Sequence, residues 1–226
     1  YDEPDENGEQ VLINKFDIRN AEELQKVERR FTAERAREGF PADAYEQSFG
    51  GLKAIHGHLF QDLYDWAGEP RRYTTGRGPV PFARPDYIEP FLDKEFAKLA
   101  ELDHLRGMPE EKFIMHAAHF VNEINAAHPF VDGNGRTQRH WLRLTAETAG
   151  YQLVLKSEDQ VRYYEACKVG FNDGDETPMI TLLAERLLTP KPTLERALDD
   201  EQNFSQDDDF EDPDHKPRNK DRDPEP

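Results

Sequence analysis

This chain holds a single cysteine, Cys167, in 226 residues. One thiol cannot close an internal disulfide, which excludes a cross-linked extracellular scaffold and fits a reducing compartment. Cys167 carries no signature of a nucleophile around it and reads as a small buried hydrophobe. No apolar run approaches the roughly 18 residues that a membrane-spanning helix needs, so no span is expected. The acidic opening stretch is not the basic-then-apolar pattern of a secretory signal. No repeat is visible, which excludes a solenoid. Positive charge is scarce: 29 Lys and Arg stand against 47 Asp and Glu, for a net charge of −18. That balance argues against direct binding to nucleic acid, whose affinity rests on cations meeting phosphates.

The acidity is uneven. Five acids fall within residues 1–9, and from Leu194 onward 13 acids face 5 bases; the stretch between is ordinary. Asp207-Asp208-Asp209-Phe210-Glu211-Asp212-Pro213-Asp214 is acidic and almost without apolar residues, so it cannot bury enough surface to order itself. We therefore divide the chain into a flexible N-terminal segment (1–10), one catalytic-sized domain (11–190) and an acidic, Pro-rich, disordered tail (191–226).

Within the domain the apolar spacing is mostly helical. Ala21 to Arg37 follows the N-cap Asn20 with Glu22 and Glu23 in its first turn. Phe49 to Tyr64 follows Ser48, and Pro85 to Leu102 opens on proline. In Glu110 to Ala127, Phe113, Ile114, Ala117, Phe120, Val121, Ile124 and Ala127 form one stripe. Arg136 to Ala149 ends before Gly150, a C-cap. Asp159 to Phe171 and Pro178 to Leu188 complete the set. Arg71 to Thr75 and Pro79 to Phe82 read as short strands around the turn Gly76-Arg77-Gly78, with Arg77 an exposed turn residue. The expected fold class is all-α with a small β-hairpin.

The chemistry concentrates in His128-Pro129-Phe130-Val131-Asp132-Gly133-Asn134-Gly135-Arg136-Thr137-Gln138-Arg139. This stretch connects two helices. The first turn of the second helix offers N–H groups without intrahelical partners and the positive end of the macrodipole. Gly133-Asn134-Gly135 permits positive φ and close backbone approach, so the turn can form an anion nest suited to a di- or triphosphate. Arg136 and Arg139, at i and i+3, can reach the same anion. Asp132 at the mouth suits Mg²⁺, which takes one or two protein oxygens and completes its shell with phosphate and water. His128, with an ordinary pKa near 6.5, is a candidate general base. Pro129 stops the first helix, and Phe130 anchors the loop in the core. Each part alone also occurs in ordinary turns; their conjunction points to a site. The pairs His116/His119 and His56/His58 lack a carboxylate or Cys at zinc-ligand spacing and read as structural histidines.

The stretch resembles the Fic family of protein AMP-transferases, whose signature H-P-F-x-[D/E]-G-N-G-R-x-x-R it matches without a departure. Ile55 to Glu69, Val80-Pro81-Phe82-Ala83 and Tyr87-Ile88-Glu89-Pro90 look like further parts of the family pattern, and the likeness runs from about Val11 to about Leu188. The resemblance implies a helical domain with a β-hairpin flap that moves AMP from ATP to a Ser, Thr or Tyr hydroxyl of a target protein. It casts His128 as the base and Asp132 as the Mg²⁺ ligand. Gly133, Asn134 and Gly135 become the anion hole, Arg136 the β-phosphate contact and Arg139 the γ-phosphate contact. It makes Thr75, Gly76, Arg77, Gly78, Pro79, Val80, Pro81 and Phe82 a flap that docks the target by strand addition.

Many members carry an inhibitory [S/T]-x-x-x-E-[G/N] helix whose glutamate pairs with the second arginine, here Arg139. No full match occurs: Thr181 to Glu185 is followed by Arg186, and Glu38-Gly39 lacks the upstream Ser or Thr. The chain therefore resembles the branch restrained by a separate small antitoxin that supplies the inhibitory helix. It reads as a toxin in a bacterial cytoplasm or an effector delivered into a host cell. Transfer of another nucleotide or phosphate-linked group by the same site, and an inert helical interaction module, are the alternatives.

Overall fold

The computed structural model describes residues 1–4, 10–77 and 80–188. The tail read as disordered (191–226), residues 5–9, and the flap residues Gly78 and Pro79 lie outside the described residues.

Helix α1 (Ala21–Arg37) begins where expected: the Asn20 side chain accepts from Glu23 N–H, and Glu22 and Glu23 face the positive helix end. Helix α2 (Phe49–Phe60) is capped by Ser48, which accepts from Gly51 N–H. The apolar spacing had carried this helix to Tyr64. It ends at Phe60 because the chain turns there, yet Leu63 and Tyr64 stay buried and the Tyr64 hydroxyl reaches back to Glu28 of α1. Helix α3 (Pro85–Glu101) ends one residue before the expected Leu102, which is its C-cap, and α4 (Glu110–Ala127) matches its expected limits. Helix α5 (Asn134–Ala149) ends on left-handed Gly150.

Helix α6 (Gln160–Asp173) starts one residue later than expected, because the Asp159 carboxylate is drawn to Lys156 N–H and Arg186. Helix α7 (Thr177–Arg186) stops short of Leu188. Leu187–Leu188 instead pairs antiparallel with Gln152–Leu153. Strands also pair at the start of the chain, Asp2–Pro4 with Gln10–Leu12, in a stretch that had been read as flexible.

The core is one continuous cluster in which the apolar stripe of α4 packs among α3, α5, α6 and α7, while α2 packs on α1 and α5. Trp141 of α5 is fully buried and meets Phe96 of α3 edge-on at 6.0 Å. Phe130 and Cys167 are buried, as the sequence implied. Among the described residues no helix is long and apolar enough to cross a membrane. This packing holds the end of α4 and the start of α5 rigidly side by side, and the motif is the link between them.

Candidate active site

Helix α4 ends on His128, which adopts a left-handed conformation (φ 43°, ψ 61°), uncommon for a residue with a Cβ. Helix α5 opens from Gly133, also left-handed (φ 73°). Between these two bends the loop is stapled by Asn134: its Oδ1 accepts from Phe130 N–H and its Nδ2 donates to Phe130 O, both at 2.9 Å. That side chain is thus occupied with the loop. The first-turn N–H groups of Asn134, Gly135 and Arg136 have no acceptor within their own helix. Asp132 Oδ1 accepts from Gly133 N–H at 2.7 Å, so its carboxylate sits at the helix mouth.

Gly133 is required on two counts. Its φ is positive, and a Cβ there would lie 2.2 Å from the ring of Phe60, itself fully buried. Gly133→Ala is expected to cost about 2–5 kcal/mol, from left-handed strain and overpacking together, read as a lowered midpoint in urea.

Arg136 is half-buried against Glu28 of α1, donating from Nη2 to Oε1 at 2.5 Å, with Asp132 Oδ2 at 3.9 Å. Its guanidinium also lies over the Phe60 ring, 4.7 Å from the centroid. Burial opposes the charge, but Glu28 and Asp132 more than offset it and keep the group protonated. Arg139 is 8% exposed; it lies against Tyr163, and its Nη1 comes within 3.4 Å of a Cβ built on Gly135. The two arginines therefore converge on the same helix start.

Glu28 was not foreseen. The two glutamates that partly fit the inhibitory pattern are engaged elsewhere: Glu185 accepts from Arg162 at 2.7 Å and Glu38 from Arg35 at 2.9 Å. Glu28 meets the first motif arginine, not the second, and no Ser or Thr precedes it by four residues.

His128 is enclosed. The ring of Phe82 stacks on it, 4.0 Å between centroids and 4° from parallel, and its Nδ1 is buried without a hydrogen-bond partner. Burial, then the charges of Arg71 and Arg77, pull its pKa down to about 3, so the ring is neutral at working pH. The sequence had suggested an unperturbed histidine; the difference comes from the flap lying over it.

His56 is a second unforeseen participant. Gly68 N–H donates to its Nδ1 at 2.7 Å, which leaves Nε2 as the protonated nitrogen, 3.1 Å from Asp132 O. It also stacks on Phe130 at 4.0 Å. His56 is a core histidine, as read, but one that holds the backbone of the candidate metal ligand. Burial lowers its pKa to about 3, and burial likewise pushes His140, packed on Phe40, well down.

These depressed values set a pH dependence. Below the unfolded-state value near 6.5 the unfolded chain binds protons that the folded chain refuses, so stability is full above pH 6.5 and falls as pH drops toward 3. At pH 5 the loss is about 2 kcal/mol for each of His56 and His128. Urea titrations at pH 7.5 and 5 should show it, and His140→Phe should flatten the slope.

The flap differs from the expected hairpin. The ladder joins Gly76–Arg77 to Val80–Pro81 and extends only to Thr75, whose carbonyl accepts from Phe82 N–H at 3.0 Å; Arg71 lies outside it. Arg71 is instead tied to the motif loop, its N–H donating to Pro129 O at 2.8 Å. Gly76 fits because a Cβ would lie 2.4 Å from Val80 O. Arg77, expected to be exposed, is half-buried over the rings of Tyr164 and Phe82. Gly76, Val80 and Pro81 are exposed and Thr75 partly so, whereas Phe82 turns inward. Beside the flap an open apolar groove of about 500 Å³ runs between Phe82, Tyr87, Phe91, Ala126 and Phe171.

Among the described residues no three His, Cys, Asp or Glu side chains gather as a metal cage. The donor set at the helix mouth is one carboxylate beside an anion nest, which suits a hard cation brought in on phosphate.

The Fic/DOC family pattern matches residues 48–146. The chain is 40% identical over 173 residues to the probable protein adenylyltransferase y4lH of Sinorhizobium fredii, covering 76% of this chain and 88% of that protein. It is 32% identical over 163 residues to the probable protein adenylyltransferase Fic of Escherichia coli, covering 72% and 81%. Its fold is similar to the N-terminal Fic domain of a putative cell filamentation protein from Bartonella quintana, solved with bound ADP: TM-score 0.70, 26% identity, covering 80% of this chain and 92% of that one.

Proposed function

This chain belongs to the Fic/DOC family and is a protein adenylyltransferase, and we propose that it moves AMP from ATP to a Ser, Thr or Tyr hydroxyl of a target protein through the α4–α5 link. The observation that carries the reading is the placing of His128 beside a helix start where Asp132, Arg136 and Arg139 converge. His128 takes the proton of the attacking hydroxyl, whose oxygen bonds to the α-phosphorus as the bond to the β-phosphate breaks and pyrophosphate leaves. The first-turn N–H groups of α5 bind the phosphates, Arg136 meets the β-phosphate and Arg139 the γ-phosphate. Asp132 holds Mg²⁺, which when bound supplies charge neutralisation on the phosphates. The exposed edge at Thr75, Gly76, Val80 and Pro81 aligns the target by strand addition. A nucleotide is supported further by the ADP bound to the B. quintana relative.

The chain acts as a bacterial toxin or a host-directed effector and is restrained by a separate antitoxin, because neither Glu185 nor Glu38 reaches a motif arginine. An isolated chain that is inactive until Glu185 or Glu38 is replaced would contradict this. The test of the transfer itself uses ATP labelled on the α- or the γ-phosphate, added with the chain or its His128→Ala variant to bacterial and host lysates. Protein should take up α-label only with the intact histidine. Uptake from the γ-position alone would mean phosphoryl transfer and overturn the mechanism.

A further inference from the structure

Arg71 is 1% exposed, yet its guanidinium is spread over four backbone carbonyls on two separate elements. Nε donates to His128 O at 2.7 Å and Nη2 to Ala127 O at 3.1 Å, both at the end of α4. Nη1 donates to Tyr73 O at 2.6 Å and Nη2 to Ala83 O at 2.5 Å, one on each side of the flap hairpin. The first pair are carbonyls that the last turn of a helix leaves without intrahelical partners, at the negative end of its macrodipole. A cation there is stabilised by dipoles. The second pair are the two roots of the flap.

We propose that Arg71 is a positioning residue for AMP transfer: one guanidinium locks the left-handed turn at His128 to both roots of the flap, so that the base and the target-docking strand are set by the same group. The proposal rests on the transferase reading for its consequence, though not for its geometry. Two neighbouring contacts run along the same seam. Arg71 N–H donates to Pro129 O at 2.8 Å, and Ala83 N–H to Ala126 O at 3.1 Å. His128 needs such a lock, because a left-handed histidine is held by its surroundings and not by its own preference. The ring of Phe82, one residue before Ala83, then falls on the imidazole. A shift of the flap root would move the surface against which the target's hydroxyl approaches the base.

Lysine separates charge from geometry at this position. It keeps the cation, but its compact ammonium cannot fork across two elements as a planar guanidinium does. In the full chain, Arg71→Lys is expected to lower the rate of α-label transfer into lysate protein about 10²-fold, the scale of a small misplacement of reacting groups. ATP binding, measured by calorimetry with Mg²⁺, should stay within about twofold, because the four carbonyls that the guanidinium holds belong to the α4 end and the flap roots and not to α5. Amide exchange should accelerate in peptides covering 72–84 and 126–130 and stay unchanged across α5.

A variant that transfers label at the wild-type rate, or whose flap exchange is unchanged, overturns the proposal. So does one that loses ATP binding and cooperative melting, since Arg71 would then be a residue of the fold at large. If the wild-type chain transfers no label at all, the transferase reading fails on its own, and the exchange data still decide whether Arg71 joins the flap to the turn.

Discussion

His128→Ala is expected to reduce AMP transfer by about 10² to 10⁴ in rate, with nucleotide binding and folding retained. The loss is chemical: the side chain lies at the end of α4, stacked on Phe82, and makes no contact that holds α5 in place. The backbone at 128 is already left-handed with a Cβ present, so alanine adds no new strain. Its pKa of about 3, set by burial and then by Arg71 and Arg77, gives the reaction a particular pH signature. A depressed value means the base form is complete at neutral pH and is lost only as pH falls toward 3. The profile of kcat/KM should therefore show no limb from this histidine near 6.5. Initial rates with α-labelled ATP from pH 5 to 8 would check it; an inflection near 6.5 that vanishes in the variant would show that the flap is off the ring in the reacting enzyme. An inert interaction module would be indifferent to the substitution.

The motif was legible in the sequence because its chemistry is contiguous. Base, carboxylate, turn and arginines fall within 128–139, and helical periodicity on either side showed that they connect two helices. The residues that hold those groups were not legible. Glu28, His56 and Arg71 meet the motif across 108, 76 and 57 residues of chain, and no local spacing announces contacts at that distance. Arg71 read as a strand residue because Tyr73 and Thr75 follow it; only the fold shows that α4's last carbonyls compete for it. Two-residue strands such as Leu187–Leu188 carry too little pattern to be separated from the helix they end. Glu28 belongs to no inhibitory motif; it is placed by the packing of α1 on α2, with Arg35 forked onto Asp62 at 2.6 and 2.7 Å.

Glu28→Ala should destabilise the chain by about 3–5 kcal/mol, the cost of leaving a buried ion with its partner removed. Glu28 is 6% exposed, and its carboxylate accepts from both Arg136 and the Tyr64 hydroxyl. Without it the carboxylate left to Arg136 among the described residues is Asp132, at 3.9 Å, and the Tyr64 hydroxyl loses the acceptor that drew it to α1. Glu28→Gln keeps an acceptor while removing the charge and should cost less. The pair can be separated from the fold by a double-mutant cycle in urea. Arg136→Met alone strands the Glu28 carboxylate, whereas Glu28→Leu with Arg136→Met removes both charges and should cost clearly less than the sum of the two single changes. Additive costs would mean that each residue acts through packing alone. Coupling would place α1 among the parts that set the charge state of the site, because the arginine assigned to the β-phosphate would then owe its position to a carboxylate on the first helix.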